Sequence, residues 1–169
     1  MATLELPHTP GCLVCGHANP VGLRLSLCVD TGDVAIQTTF TPGPQHIGFE
    51  GILHGGVLAT VLDEAMVWAA IWSSRRACVA GEMNVRFRKS AVVGVPLKCT
   101  ARVTASRSRL IESAGELVDA TGQTIATATG KYVPLGAEPT QSFFQTLVAA
   151  DSTHAATQLL TQSGNHHAQ

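Results

Sequence analysis

A glycine pair and a carboxylate stand on one stretch of this sequence with a spacing suited to chemistry at an acyl carbonyl. His54-Gly55-Gly56 opens an apolar run whose only charged residues are Asp63 and Glu64. Glycines at a helix start leave backbone N–H groups unhindered at the positive end of the helix dipole, where a developing oxyanion is stabilised. A carboxylate within an apolar helix is costly to bury unless it is paired or functional. We therefore treat the glycines as candidate oxyanion donors and the two acids as candidate bases.

The spacing between the glycines and the acid predicts a site that two chains share. Asp63 lies about two helical turns after Gly56, so both face one way but stand ~10 Å apart along the helix axis. One chain cannot bring both to the same carbonyl, whereas two antiparallel helices about a two-fold axis pair Gly55 of one chain with Asp63 of the other. Glu64 is rotated by about 100° from Asp63, and it is Asp63 that shares a helix face with Gly56 and Val67. We assign the base to Asp63 and give Glu64 a structural role, such as pairing with an arginine.

The remaining elements predict an antiparallel sheet around this helix. A run that is apolar on every side is typical of a buried helix, and this one is too short and too acidic to span a bilayer. Alternating apolar residues and turn signals predict strands at residues 23–29, 34–40, 78–91, 95–107, 110–119 and 123–135. The predicted fold class is therefore α+β, with an antiparallel sheet of five to six strands wrapped around one long central helix.

Length and composition indicate one domain with short extensions. The chain has 169 residues, which we divide into a turn-rich lead-in at 1–21, a main domain at 22–135 and a segment at 136–169. We expect that segment to form a short helix at residues 139–150 and then a flexible polar tail. The formal net charge of −1 argues against a general attraction to nucleic acid or to an anionic membrane. Because the N-terminus has no basic and apolar leader, we expect a cytoplasmic protein.

Two cysteines in the lead-in form the other motif with possible metal or redox chemistry. Cys12 and Cys15, followed by Gly16, have the spacing of half a zinc knuckle, but a structural zinc site needs four ligands and no second pair of this kind follows. A thioredoxin-like site would stand at a helix start after a strand, which is not the pattern here. We interpret the motif as a structural turn and predict no metal and no cofactor.

The order and spacing of these motifs together resemble those of a hotdog-fold thioesterase. The likeness is to the branch that hydrolyses acyl-CoA and phenylacetyl-CoA-type thioesters, and it covers roughly residues 11–135. It rests on His54-Gly55-Gly56 with Asp63 nine residues after the histidine, on the strand motif from Glu82 to Arg88, and on the lead-in from Cys15 to Leu23. Taken alone, the glycine motif would be a turn with His54 as a helix cap; Asp63 in register with it favours an enzyme site.

The resemblance implies an assembly and a reaction. It implies a homodimer whose two sheets join edge to edge, or a homotetramer of two such dimers, with active sites at the dimer interface and without a metal or an attached cofactor. It implies that the Gly55 amide polarises the thioester carbonyl, that Asp63 is the base or nucleophile, and that His54 lies beside the carbonyl. The expected reaction is hydrolysis of an acyl- or aryl-CoA thioester to a free acid and CoA.

Further residues are candidates for binding the acyl-CoA substrate. Arg86 and Arg88 carry side chains that suit the phosphates of CoA, and Asn84 belongs to the same strand motif. Gly56 and Val67 lie on the helix face of Asp63, where Val67 would line an acyl pocket.

One position departs from the resemblance and keeps a second interpretation open. Many relatives carry Ser or Thr three positions before the helix-facing Met83, where the hydroxyl helps to place water, and this sequence has Ala80 there. The alternative is therefore a non-catalytic hotdog module that binds acyl-CoA. A hotdog dehydratase or hydratase would need a histidine and an acid in another arrangement, and no second motif of that kind is visible.

Overall fold

The computed structural model describes residues 3–162, which form nine strands. In chain order they are β1 (Thr3–Glu5), β2 (Cys28–Asp30), β3 (Ala35–Phe40), β4 (Ile47–Phe49), β5 (Ile52–Leu53), β6 (Cys78–Phe87), β7 (Leu97–Arg107), β8 (Leu110–Asp119) and β9 (Thr124–Pro134). Seven of them form one antiparallel sheet in the order β1-β2-β3-β7-β8-β9-β6, and β4 and β5 form a separate hairpin. The sheet has seven strands rather than the expected five to six, because the lead-in contributes β1.

One long helix, α1 (Gly55–Ser74), packs across this sheet. Its apolar residues are buried on most sides, as the unbroken apolar run predicts. The helix approaches the sheet closely at Gly115 of β8, where a Cβ atom would stand 3.1 Å from Leu62 and 3.2 Å from Met66. The α+β fold class predicted from the sequence is therefore confirmed, and the small residues of the sheet are what let the helix approach it.

The expectation that α1 is too short and too acidic for a membrane is wrong on length and composition. The helix has 20 residues and a window of mean hydropathy 1.3, which is long and apolar enough to cross a bilayer. In that window 56% is buried inside the protein. The apolar surface of α1 is thus explained by its packing against the sheet of its own domain.

A β-bulge in β6 changes which side chains of that strand face the helix. The register with β9 shifts between Ala80 and Glu82, so that Ala80 lies opposite Tyr132 and Met83 lies opposite Gly130. Before the bulge Ala80 faces α1, and after it the odd-numbered residues from Met83 face α1. Strict alternation along the strand, which would group Val79 with Met83, is therefore wrong across the bulge.

The two ends of the chain differ from the sequence prediction more than the centre does. Residues 23–27 are not a strand, although Leu25 and Leu27 are buried as the alternation predicts. The predicted helix at 139–150 is present as α2 (Ala137–Thr146). A further helix, α3 (His154–Gln162), occupies much of the segment expected to be a flexible tail; residues 163–169 of that tail lie outside the described residues.

Candidate active site

The N-terminus of α1 presents one backbone donor. His54 is the N-cap, and its Nδ1 accepts a hydrogen bond of 2.9 Å from the Gly56 N–H. The His54 carbonyl accepts the N–H of Val57 at 3.0 Å. Within residues 3–162 the N–H of Gly55 has no such acceptor. Of the two glycines, Gly55 is therefore the one whose amide is available to a substrate oxygen at the positive end of the helix.

Two elements of the fold pack against the start of α1. A Cβ atom at Gly55 would stand 3.3 Å from Cζ of Phe87, which lies at the end of β6 and is 54% exposed. On the other side, a Cβ atom at Gly48 of β4 would stand 2.9 Å from the Cα of His54. The β4–β5 hairpin and β6 thus fix the position of the helix start.

Asp63 faces the sheet and is held there by a tyrosine that sequence reasoning missed. The Tyr132 hydroxyl donates a hydrogen bond of 2.9 Å to Oδ1 of Asp63. No hydrogen-bond partner for Oδ2 lies in the described part of the chain, so that oxygen is available to water or substrate. Tyr132 itself is fully buried, and burial, together with the charge of Asp63, raises the pKa of its phenol. The phenol therefore remains a neutral donor to the carboxylate.

The neighbours of Tyr132 leave room for it to reach Asp63. A Cβ atom at Gly130 would stand 2.7 Å from Cε2 of Tyr132 and 2.9 Å from its hydroxyl, so the ring lies across a residue without a side chain. Ala80 lies opposite Tyr132 on β6. A glycine two residues before a tyrosine, on the helix-facing side of β9, is the sequence signal that could have identified this residue.

A second hydroxyl lies on the same face of the sheet. Ser113 of β8 stands opposite Gly130 of β9. Its side chain is 1% exposed, and its Oγ has no hydrogen-bond partner in the region that the structure describes. Tyr132 and Ser113 thus each place a hydroxyl group on this face, where Ala80 supplies none.

Glu64, the neighbouring acid, faces away from Asp63 and toward the lead-in. Trp68 Nε1 donates a hydrogen bond of 3.1 Å to Oε1 of Glu64, and the Cys12 thiol lies 3.9 Å from the same oxygen. Burial raises the pKa of Glu64, and hydrogen bonds from Cys15 and Trp68 oppose that rise. That the role of Glu64 is structural stays a prediction. The expected arginine partner is wrong, because the partners of Glu64 among the described residues are a tryptophan and two cysteines.

The predicted substrate-binding residues fall into two groups on opposite faces of the sheet. Gly56 and Val67 lie on α1, where Val67 is half-buried one turn after Asp63. Asn84 and Arg86 lie on the outer face, opposite Thr129 and Thr127. Together with Arg88 they line a groove of about 890 Å³ whose other walls are Thr100, Arg102, Thr104, Ala114, Glu116 and neighbouring backbone.

Within a single chain, the predicted site residues therefore do not lie together in one site. His54, Gly55 and Gly56 stand at the start of α1, and Asp63 stands two turns further along the same helix. The arginines stand behind the sheet, close to its free edge at β6. Any single site that uses all three groups has to be assembled around that edge.

Comparison with known proteins agrees with this architecture. Residues 50–126 match the family model of the thioesterase superfamily. A crystal structure of a thioesterase superfamily protein is similar with a TM-score of 0.67 and 24% identity, covering 73% of this chain and 60% of that one. The chain thus spans about three fifths of that relative. No curated protein sequence matches the chain.

Two further solved structures carry information on ligands or context. The PaaI protein of the E. coli phenylacetic acid degradation operon has a TM-score of 0.58 and 26% identity, covering 60% of this chain and 73% of PaaI. A Streptococcus mutans protein bound to acetyl-CoA has a TM-score of 0.55 and 18% identity, covering 60% of this chain and 82% of that protein. These neighbours confirm the hotdog fold that the motifs suggested.

Proposed function

We propose, from the match of residues 50–126 to the thioesterase superfamily model, that this chain is a thioesterase that hydrolyses an acyl-CoA thioester to a free acid and CoA. The observation that carries the proposal is the pair formed by an unpaired Gly55 amide at a helix start and a held carboxylate, Asp63, two turns along the same helix. Similarity to a protein with bound acetyl-CoA and to PaaI supports a CoA thioester as the substrate class.

In this mechanism the Gly55 amide donates a hydrogen bond to the thioester oxygen as negative charge develops there. Asp63 of the partner chain stands on the other side of the carbonyl and acts through its free Oδ2, as general base toward water or as nucleophile. His54 caps the helix through Nδ1, which fixes the orientation of its ring beside the carbonyl. If water attacks, the tetrahedral intermediate expels the CoA thiolate, which takes up a proton, and the free acid remains. If Asp63 attacks, expulsion of the thiolate leaves an acyl-aspartyl anhydride, which water then hydrolyses to the free acid and the Asp63 carboxylate.

Tyr132 is a positioning residue in this mechanism. Its hydroxyl fixes Oδ1 of Asp63 and so directs Oδ2 toward the substrate. It also supplies a hydroxyl on the face where Ala80 lacks one. The absence of a hydroxyl at Ala80, which favoured a non-catalytic module, is in this way compensated from the opposite strand.

The free edge of the sheet supports the proposed dimer. Strand β6 is the last strand of the described sheet, has 10 residues and exposes Val79 and Phe87 at 48% and 54%. Long apolar edge strands are usually paired or covered. Antiparallel pairing of two β6 strands joins the sheets edge to edge and places the Gly55 end of one α1 near the middle of the other. If light scattering showed that the protein is a monomer at a concentration at which it is active, the shared site would be excluded.

The outer groove suits the nucleotide end of CoA. Arg86 and Arg88 present guanidinium groups that suit phosphates, and Asn84 adds an amide. Because β6 ends at Phe87, which lies against Gly55, the flexible pantetheine arm would pass the end of β6 beside Arg88 to bring the thioester to Gly55 and Asp63.

The test is the release of free thiol from a panel of acyl-CoAs that includes acetyl-, medium-chain, long-chain and phenylacetyl-CoA. We expect saturable hydrolysis of at least one thioester well above its spontaneous rate. Binding of acyl-CoA without hydrolysis would support the non-catalytic module instead. Neither binding nor hydrolysis across the panel would reject CoA thioesters as the substrate class.

A further inference from the structure

Two cysteines of the lead-in and one acid of α1 form a compact cluster outside the catalytic site. The sulfurs of Cys12 and Cys15 and a carboxylate oxygen of Glu64 all lie within 4.8 Å of one another. Cys15 is 2% exposed, whereas Cys12 is half-buried and open to solvent on one side. The third donor lies 49 residues after Cys15 in the sequence, so the cysteine motif alone could not reveal it.

The backbone around the cysteines has the form of a metal-binding knuckle. The Val14 N–H donates a hydrogen bond of 3.3 Å to the sulfur of Cys12, and the Gly16 N–H donates one of 3.1 Å to the Cys12 carbonyl. A Cβ atom at Gly16 would stand 2.4 Å from that carbonyl oxygen, so the turn requires glycine. Donation of an N–H to sulfur stabilises a thiolate, which is the form that binds metal.

The charges in this cluster need compensation that the described chain does not supply. Burial raises the pKa of the Cys15 thiol, and the charge of Glu64 raises it further. Within residues 3–162, the hydrogen bonds to Glu64 come from Trp68 and the two cysteines, with none from a lysine or an arginine.

We propose that Cys12, Cys15 and Glu64 bind a divalent transition-metal ion of the zinc class, through two sulfurs and one carboxylate oxygen. Zinc bonds of about 2.3 Å to sulfur and about 2.1 Å to oxygen place tetrahedral ligands roughly 3.5 Å apart. The Cys12 sulfur and Oε1 of Glu64 are already 3.9 Å apart, so small side-chain rotations complete the site. The thiol and carboxyl protons leave to solvent, and the fourth position is open on the side of Cys12.

The ion links the lead-in to the middle of α1 through Glu64, the residue next to Asp63. The sequence analysis predicted no metal because no second cysteine pair follows the first. The structure supplies the missing donor from the helix instead. This site is independent of the proposed hydrolysis, since none of its ligands contacts the substrate in the mechanism above.

Cobalt titration of the reduced full-length protein tests the site, because a thiolate–cobalt bond gives a charge-transfer band in the near ultraviolet. We expect the band to saturate at one equivalent. It should disappear in Cys12→Ser/Cys15→Ser and persist in the matched control Cys28→Ser/Cys78→Ser, whose two half-buried thiols lie outside the cluster. Glu64→Gln should keep the band and weaken affinity by about tenfold or more. Equal bands in both double variants would overturn the proposal.

A labelling experiment keeps the proposal falsifiable if the cysteine variants fail to fold. The reduced wild-type protein is treated with a maleimide with and without one equivalent of zinc, and the labelled cysteines are identified by mass spectrometry. We expect zinc to protect the half-buried Cys12 and to leave labelling of Cys28 and Cys78 unchanged, whereas the buried Cys15 should react slowly with or without the ion. Equal labelling of Cys12 with and without zinc would reject the site.

Discussion

Asp63 and Glu64 are adjacent on α1, yet the two sides of the helix give them different chemistry. On the sheet side, Asp63 Oδ1 accepts a hydrogen bond from a buried phenol, and Oδ2 has no hydrogen-bond partner within residues 3–162. On the lead-in side, Glu64 meets a tryptophan N–H and two thiols, and burial raises its pKa. The comparison shows that the partners of a carboxylate, rather than its presence in an apolar helix, decide whether it is suited to act on a substrate.

The difference between Asp63 and Glu64 is tested most strongly by replacing each acid with its amide. Asp63→Asn keeps the shape but removes the base or nucleophile, and we expect kcat to fall by at least about 10²-fold. Folding should survive, because a neutral amide relieves the burial of charge. Glu64→Gln should lower kcat by a few-fold at most. The reverse ranking in steady-state assays would mean that Glu64 is the catalytic acid.

The Gly55 N–H, the proposed oxyanion donor, can be removed by a substitution that leaves helix α1 intact. Gly55 is the first helical residue, and His54 before it has φ −62° and ψ 131°, which suits a residue that precedes proline. Gly55→Pro should therefore keep the helix, remove the N–H and lower kcat by about 10²- to 10³-fold.

Gly55→Ala is the matched control for that change. It adds a Cβ atom at 3.3 Å from the exposed ring of Phe87, which can move, and it keeps the N–H. We expect it to retain most of the activity that Gly55→Pro loses. Equal losses in the two variants would attribute the effect to packing rather than to the donor.

On the sheet side, Tyr132→Phe removes the hydroxyl that holds Asp63 and keeps the ring. A hydrogen bond to a charged group is worth roughly 1.5–3 kcal/mol, so we expect kcat to fall by about tenfold with little change in KM. Ser113→Ala, which removes a buried hydroxyl without a described partner, is the control. An unchanged kcat in Tyr132→Phe, with Asp63→Asn inactive, would show that Asp63 needs no positioning by the phenol.

The smallest effect concerns the outer face of the sheet. Arg88→Ala removes a contact common to the ground and transition states, so KM for acyl-CoA should rise about threefold to tenfold while kcat changes little. Arg109→Ala, an exposed arginine outside the groove, should leave both constants unchanged. A large loss of kcat at constant KM in Arg88→Ala would place Arg88 in the chemistry.

The sequence predicts elements well where local signals are strong. Strand β8 has the predicted bounds, and α1 begins at the glycine motif, because turns and apolar runs are local properties of the chain. The bulge in β6 was not predicted, since it depends on the register with β9, and it places Ala80 on the same face as Met83, where strict alternation along the strand would separate them.

The site was predicted only in part for the same physical reason. Gly55 and Asp63 follow from spacing on one helix. The contacts of Tyr132 with Asp63, and of Cys12 with Glu64, join residues 69 and 52 positions apart, and no local pattern connects them. A similar limit applies to Arg86. The strand motif predicted that Arg86 binds substrate, but it could not show that Arg86 and Asp63 lie on opposite faces of the sheet.

The central claim is that each site takes Gly55 from one chain and Asp63 from the other, and complementation tests it most directly. Asp63→Asn and Gly55→Pro chains with different tags are co-expressed, and the mixed dimer is purified through both tags. Each parent homodimer should be inactive. The mixed dimer should recover about half the wild-type kcat, because one of its two symmetric sites has both native residues. A mixed dimer as inactive as its parents would contradict the shared site.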